Sequence, residues 1–421
     1  MPARVAVVGA GVAGLSCGRE LEAAGVEVDV IEASDRVGGR VQTDHVQGFM
    51  LDRGFQILIT AYPEVRRQLD LKALELRSFL PGAVLASNGK LSYVAHPLKC
   101  PRLLPEVIKT ACGWGLLSSC LDVFRLLGLV SSWLCTDPYA SLQLGDATPE
   151  TTESYLAKRR LSRPMLQNFF RPFFEAIYVS RLEEQSSSIF QFVLRMIACG
   201  EAALPAKGMR AIPEQMSSRL KKGVELNAAV SSVTATSATI NGERRTYDAV
   251  VVAAEWPAAA KLISLPQVQG TQSRTYYFRF PEPAPVTERL VILQTHGLEE
   301  AGGSEDTRLV NIAFPSVVQP SYAPRGEVLA AATTMGPAKD EKWVLSEVER
   351  LLGVQTSAWE HLKTYDLRFH QPAQVGRSDS IPVEKEGVFC CGDHMMSPTL
   401  DGAMLSGRTT AQAVLAKLKA S

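Results

Sequence analysis

The 421-residue chain has no charge of one sign to spare: lysine plus arginine and aspartate plus glutamate both number 44, for a net charge of 0. A nucleic-acid binder carries a basic excess and a disordered tail carries a charge block, so neither class is indicated and no nucleic acid is expected as a partner. Its eight cysteines include no C-x-x-C pair, and only Cys390 and Cys391 are adjacent. That excludes a zinc-ribbon pattern and the disulfide framework of a small secreted domain. Scattered buried thiols in a reducing compartment are expected instead, with no metal site. No secretory leader precedes the first apolar run, Val5–Val8, which points to the cytoplasm or a plastid interior and away from secretion. There is no internal repeat and no low-complexity segment. What is present is 46% apolar against 21% charged residues, enough for a sizeable core in two or three compact units.

The chain opens on "VAVVGAGVAGL". Val5–Val8 reads as a fully buried strand and Val12–Ala24 as a helix stopped by Gly25. Val26–Glu32 then alternates as a second strand, completing a β-α-β unit. Gly9, Gly11 and Gly14 form G-x-G-x-x-G between strand and helix. The first glycine permits the tight turn, the second admits a pyrophosphate to the backbone, and the third lets helix and strand pack closely. Val12 and Ala13 lie in the turn that offers free N–H groups and a positive dipole end to phosphates. Glu32 ends the second strand, followed by Ala33, where an acid hydrogen-bonds an adenosine ribose and disfavours a 2′-phosphate. "DRVGGR" then brings Gly38, Gly39 and Arg40, a second backbone turn and a fork of donors suited to phosphate or flavin oxygens. On the first turn alone, a nicotinamide and a flavin dinucleotide both remain open.

"GAGVAGL…IEASDRVGGR" resembles the N-terminus of the FAD-dependent amine oxidase, protoporphyrinogen oxidase and phytoene desaturase superfamily. The resemblance continues through "GFMLDRGFQIL" (48–58), "ALPAKGMRAIPEQM" (203–216), "LNAAVSSV" (226–233) and "GVFCCGDHMMSPTLDGAMLSGRTTA" (387–411). Lys207 stands where that family usually has glycine. The resemblance implies noncovalently bound FAD. It assigns Arg53, Gly54, Phe55 and Gln56 to the flavin segment, and Val230 to the strand that meets adenine through its backbone. Gly392 and Asp393 fall to the ribityl chain or, through water, to the pyrophosphate, and Leu400, Asp401 and Ala403 to the helix start at the flavin pyrimidine edge. A helix N-terminus there would stabilise the anionic charge of reduction. No catalytic residue is identified; the candidate flavin-facing contacts are Arg53, Gln56, Trp256 and Thr399.

Flavin chemistry needs no strong protein acid, because a hydride can pass from substrate carbon to N5. Amine oxidases of the family carry an aromatic cage and a lysine near N5. Here Pro398-Thr399 replaces the cage position, and the strand around 271–280 has Arg274 and Arg279 but no lysine. The resemblance therefore favours a hydrophobic substrate, a carotenoid or other isoprenoid or a tetrapyrrole, with O2 or a quinone as electron acceptor. A redox-neutral cis–trans isomerase of a polyene, a flavin amine oxidase and a non-catalytic flavoprotein remain as alternatives.

The expected fold is α/β: a Rossmann-like FAD-binding domain with an inserted mixed α+β substrate domain. The first is assembled from 1–79, 201–270 and 366–421, the second from 80–200 and 271–365. "NG" at 241–242 signals a hairpin, and 340–363 reads as helix. Residues 108–135 are apolar, broken only by Lys109, Asp122 and Arg125; the longest uncharged run, 110–121, is too short to span a bilayer. Three readings of this insert stay open: a buried core pair, a substrate channel wall, or a one-leaflet membrane contact through 99–135. The phenylalanine-rich stretch 167–196 reads as core or as channel lining.

Overall fold

A computed structural model describes residues 2–134, 136–143, 150–264, 270–295, 307–374 and 383–420. Its first sheet has six strands in the order Val224–Glu225, Glu27–Ile31, Arg4–Val8, Ala249–Val252, Val388–Cys390 and Glu384–Lys385. All but the last pairing are parallel, with Val5 between Val28 and Ala249, and Val251 opposite Phe389. Parallel strands are covered on both faces, which is why Val5–Val8 and Val250–Val252 run without polar alternation. Strands from the beginning, middle and end of the chain thus share one nucleotide-binding sheet.

The helices Val12–Ala23 and Leu400–Ala420 lie against each other. A Cβ on Gly407 would stand 2.1 Å from Ala13 O, and Ser16 Oγ donates to Met404 O at 2.8 Å. Small residues here let the closing helix touch the first turn of the fingerprint helix.

The second sheet has seven strands in the order Glu360–Pro372, Gly270–Pro281, Glu327–Met335, Arg308–Ala313, Val291–Gln294, Gly82–Ser87 and Lys90–Ala95. Three expectations need correction. The helix expected over 340–363 spans Glu341–Leu352 and stops at Gly353, which adopts φ +67°. The strand after it runs on to Pro372 within the second sheet, past the 365/366 division. Residues 82–95, which lie in the 80–200 stretch that the sequence reads as several helix-like segments, form a strand hairpin. Asn241 and Gly242 do make a hairpin turn, both with φ > 0 (49° and 86°), as the twist of paired strands requires.

Asp52 ties the two units. Its fully buried carboxylate accepts from Thr43 Oγ1, Met209 N and Tyr322 Oη, while its carbonyl accepts from Tyr277 Oη. The segments 48–58 and 203–216 thereby meet on one side chain.

The apolar insert is two helices, Leu104–Trp114 and Leu116–Leu134, broken at Gly115, whose φ is +95°. It is not a buried core pair. Only 11% of the Leu116–Trp133 segment is buried, and that segment is long and apolar enough by length and composition to cross a membrane. Counting uncharged residues along the sequence missed this because its charges point inward or are tied back to the protein. Asp122 is buried and accepts from Ser162 N at 2.9 Å, and Arg125 donates to Arg160 O.

Candidate cofactor site

The fingerprint glycines have separable physical causes. Gly9 adopts φ +112°, and a Cβ there would lie 2.7 Å from Ala253 O. A Cβ on Gly14 would lie 1.9 Å from Gly9 O. Gly11 differs: a Cβ there meets nothing within 4 Å. The protein's own packing does not demand that glycine, so a side chain would fill only the cradle that a dinucleotide backbone needs. The second turn closes on the first. Gly38 N donates to Ala10 O at 2.9 Å, and a Cβ on Gly39 would stand 3.4 Å from Gly11 Cα. Val12, Ala13 and Gly14 are buried at the helix start. Glu32 Oε2 accepts from Ala10 N at 2.8 Å, while Oε1 accepts from Ser34 N and Oγ. The acid is thus held beside the turn, at the end of its strand, with Ala33 exposed next to it. Val230 is half-buried and pairs with Ile240.

Arg40 spans the site. Nη2 donates to Asp393 Oδ1 at 2.7 Å, Nη1 donates to His370 O at 2.8 Å, and Nε stands 3.7 Å from Glu255 Oε1. Two arms of the fork expected to serve the cofactor are therefore spent on the protein, and Arg40 fixes Asp393 in place. Burial pushes the Glu255 carboxyl up, against the pull of Arg40. His370 is pushed down to about 4, first by desolvation and then by Arg40; its Nδ1 lies 3.0 Å from Ser273 Oγ. Gly392 N donates to Ser406 Oγ at 3.0 Å, which ties the strand end to the closing helix.

Gln56 Nε2 donates to Arg40 O and Arg53 O, at 2.9 and 3.0 Å, so its amide braces the turn. Gly54 adopts φ +84° beneath Leu367, and Phe55 packs edge-on to Phe79. Arg53 Nη2 lies 3.4 Å from Asp44. Burial works against the Asp44 charge, yet Lys363, Tyr365 and Arg53 hold its carboxyl well below the usual range.

Three of the expected contacts have partners within the protein. Trp256 is 1% exposed. It sits in the core against His394, ring centroids 4.5 Å apart, so it lines no open cleft. Thr399 caps the closing helix, with Oγ1 accepting from Gly402 N at 2.9 Å. The Asp401 carboxylate is buried and committed to Glu64 N and Tyr139 Oη. Leu400 and Ala403, on the same turn, keep solvent access.

Glu255, His370, Asp44 and Lys363 were not foreseen. Each belongs to a segment without a local motif, and only the fold brings it within reach of Arg40 or Arg53.

Two glycine turns meet at the carboxyl end of the inner parallel strands, and an arginine–aspartate bridge joins them to the end of the last strand. That arrangement is the one in which a dinucleotide binds across the carboxyl ends of parallel strands. Comparison with known proteins makes the class specific. The model of flavin-containing amine oxidoreductases matches residues 12–415, and the chain belongs to that family. FAD is its cofactor; around the two turns, Gly11 leaves open space and Gly39 lies against it.

Protoporphyrinogen oxidase 2 of Arabidopsis thaliana, a chloroplastic and mitochondrial protein, is 41% identical over 173 residues, 40% of this chain and 31% of its own length. The chain thus matches about a third of that relative. The fold is shared with a protoporphyrinogen oxidase from Exiguobacterium sp. 255-15, described as putative (TM-score 0.69, 16% identity, 99% of each chain). It is shared as well with a putrescine oxidase bound to putrescine (TM-score 0.65, 18% identity, 99% of each chain).

Proposed function

We propose that this FAD-dependent oxidoreductase takes electrons from a C–H bond of a hydrophobic substrate, a tetrapyrrole or an isoprenoid, delivered from a membrane surface. The observation that carries the reading is the apolar hairpin. Leu98, Leu104, Ile108, Leu116, Leu117, Leu121, Val123, Phe124 and Leu127 are all exposed, between 40% and 86%. Of the large exposed hydrophobics among the described residues, only Leu226 and Val383 lie elsewhere. A patch this concentrated is costly in water and marks a contact surface. Lys99, Arg102 and Lys109 stand exposed beside it, a basic rim suited to anionic headgroups.

A cavity of about 310 Å³ opens where this hairpin meets the second sheet. Trp114 and Leu85 form its apolar wall, and Ser87, Asn88, Lys90, Ser92, Asn168 and Thr295 its polar side. Asn168 sits on a π-helical turn, Met165–Phe170, a distortion that recurs at functional sites. The phenylalanine stretch divides here. Phe170, Phe174, Phe190 and Phe192 are core, while half-buried Phe169 and Phe173 stack at 5.3 Å and pack with Trp114 on Leu85 and Leu293. A flat apolar molecule with a polar or carboxylate edge fits such a mixed wall better than a compact charged amine.

Bound FAD supplies the two-electron acceptor, passing the electrons on to O2 or a quinone. The chain's part is to hold it at the crevice, keep Arg40 and Asp393 paired, and shield the site from water. The test is anaerobic mixing of the holoprotein with porphyrinogens, polyenes and amines while the flavin absorbance is followed. Bleaching by a porphyrinogen or a polyene is expected; bleaching by amines alone overturns the reading.

A further inference from the structure

Asp401 is a fully buried carboxylate in the first turn of the closing helix. It joins three elements. Oδ1 accepts from Glu64 N, in the helix Pro63–Gln68, at 2.7 Å. Oδ2 accepts from Tyr139 Oη at 2.8 Å, from the segment that follows the apolar hairpin. That segment is itself pinned, because Arg195 donates to Thr136 O and Asp137 O at 2.8 and 2.9 Å. The Tyr139 ring stacks on Phe192 at 5.6 Å, and Phe192 stacks on Tyr62 at 5.8 Å. No motif requires this arrangement, and the expected cofactor contacts leave it without a role.

We propose that Asp401 is a positioning residue for the cofactor: by bridging Glu64 N and Tyr139 Oη it sets the place and the charge of the closing helix's first turn, and through them the reduction potential of bound FAD. The proposal rests on the assignment of that turn to the flavin. A helix N-terminus carries a partial positive charge, and an ionised carboxylate in its first turn offsets it. Neutralising Asp401 restores that charge and favours the reduced, anionic flavin.

The surrounding groups place this change within reach. Burial pushes the Asp401 carboxyl up to about 6, against the Tyr139 hydroxyl and the backbone N–H groups that favour the ionised form. The neighbouring Glu64 charge pushes the same way as burial. Glu64 is itself paired with Arg408 at 2.8 Å and accepts from Gln68 Nε2 at 2.8 Å. Tyr62 and Tyr139 are held well above the ordinary tyrosine range, each by burial and by the Asp401 charge, so both stay neutral. Asp401 is the carboxyl that burial in this cluster brings into the physiological range.

The test is the midpoint potential of the FAD holoprotein from about pH 5 to about pH 9, in wild type, Asp401→Asn and Tyr139→Phe. In wild type the potential is expected to take an extra downward step as pH rises through the Asp401 ionisation. Asp401→Asn loses that step and lies above wild type at alkaline pH. Tyr139→Phe keeps the ring stack but removes a donor to the ionised form, so its step moves to higher pH. A step that survives unchanged in Asp401→Asn overturns the proposal, even if melting temperature falls, and assigns the step to another group such as Asp52. If Asp401→Asn does not fold, an unmoved step in Tyr139→Phe overturns it alone. Wild-type protein that binds no FAD fails the cofactor assignment instead and takes the proposal with it.

Discussion

Arg40 Nη2 donates to Asp393 Oδ1 at 2.7 Å, joining the end of the second glycine turn to the last strand across 353 residues of chain. Asp393 keeps only 9% of its side-chain surface and Arg40 keeps 35%. Removing the arginine leaves a buried carboxylate without its nearest cation. The cost is on the order of 1–3 kcal/mol, below that of a fully buried pair because Arg40 is partly screened. Arg40→Ala is expected to purify with a small fraction of the wild-type FAD content and a lower melting temperature. Arg40→Lys is expected between the two, since an ammonium cannot reach Asp393 and His370 O together. Absorbance at the flavin band against total protein reads the first effect and thermal unfolding the second.

Two of the fingerprint glycines separate binding from folding. A methyl group at Gly11 meets open space, so Gly11→Ala is expected to leave apoprotein stability within about 0.5 kcal/mol of wild type. The same methyl fills the cradle, so FAD affinity is expected to fall tenfold or more, about 1.4 kcal/mol. Gly14→Ala drives a methyl into Gly9 O and is expected to lower stability and FAD content together. Apoprotein melting and FAD titration distinguish the pair.

Exposed apolar side chains of the hairpin contribute little to folding, and the proposed membrane contact rests on them. Leu117 and Phe124 are 77% and 72% exposed. Leu117→Glu with Phe124→Glu is expected to leave the melting temperature near wild type. Co-sedimentation with anionic vesicles is expected to fall by roughly 100-fold or more, from about 1.5–3 kcal/mol for each of the two apolar side chains. The comparison is Leu129→Glu, on the same helix but buried, which is expected to unfold the insert. Undiminished vesicle binding in the double variant counts against the membrane surface.

Asp52 makes a pH-dependent contribution whose sign is set by burial. Its carboxyl is pushed up to about 6, against the bonds from Thr43, Met209 and Tyr322. Between the unfolded value near 4 and that folded value, the native state binds more protons than the unfolded state, so this contribution falls as pH rises. Asp52→Asn removes it. The stability lost in Asp52→Asn is therefore expected to be greatest near pH 4 and to shrink up to about pH 6, then to level off. Denaturant melts across that range check it; a loss that grows with pH contradicts the burial argument.

The parts legible in sequence were those whose cause is local. Gly9 and Gly14 are forced by contacts within the turn and with the adjoining strand. Glu32 and Gly38–Arg40 follow at fixed spacing, and the structure gathers them around the same turn through Ala10. The flavin half was legible as a motif but not as geometry. A motif gives a position, not a rotamer, so it could not show that Trp256 turns into the core, that Thr399 serves as a cap, or that Asp401 reaches Glu64 and Tyr139. His370, Glu255 and Asp44 carry no signal, because their partners come from strands and turns far away in sequence. The hairpin was misjudged for a related reason: Asp122 and Arg125 interrupt the sequence but not the outer face.

The most direct measurement is the absorption spectrum of the purified protein, followed by acid precipitation and identification of what is released. The expected result is a flavin spectrum with FAD recovered in the supernatant at close to one per chain. Protein with no flavin spectrum after reconstitution, or with a nicotinamide dinucleotide as its bound cofactor, contradicts the account.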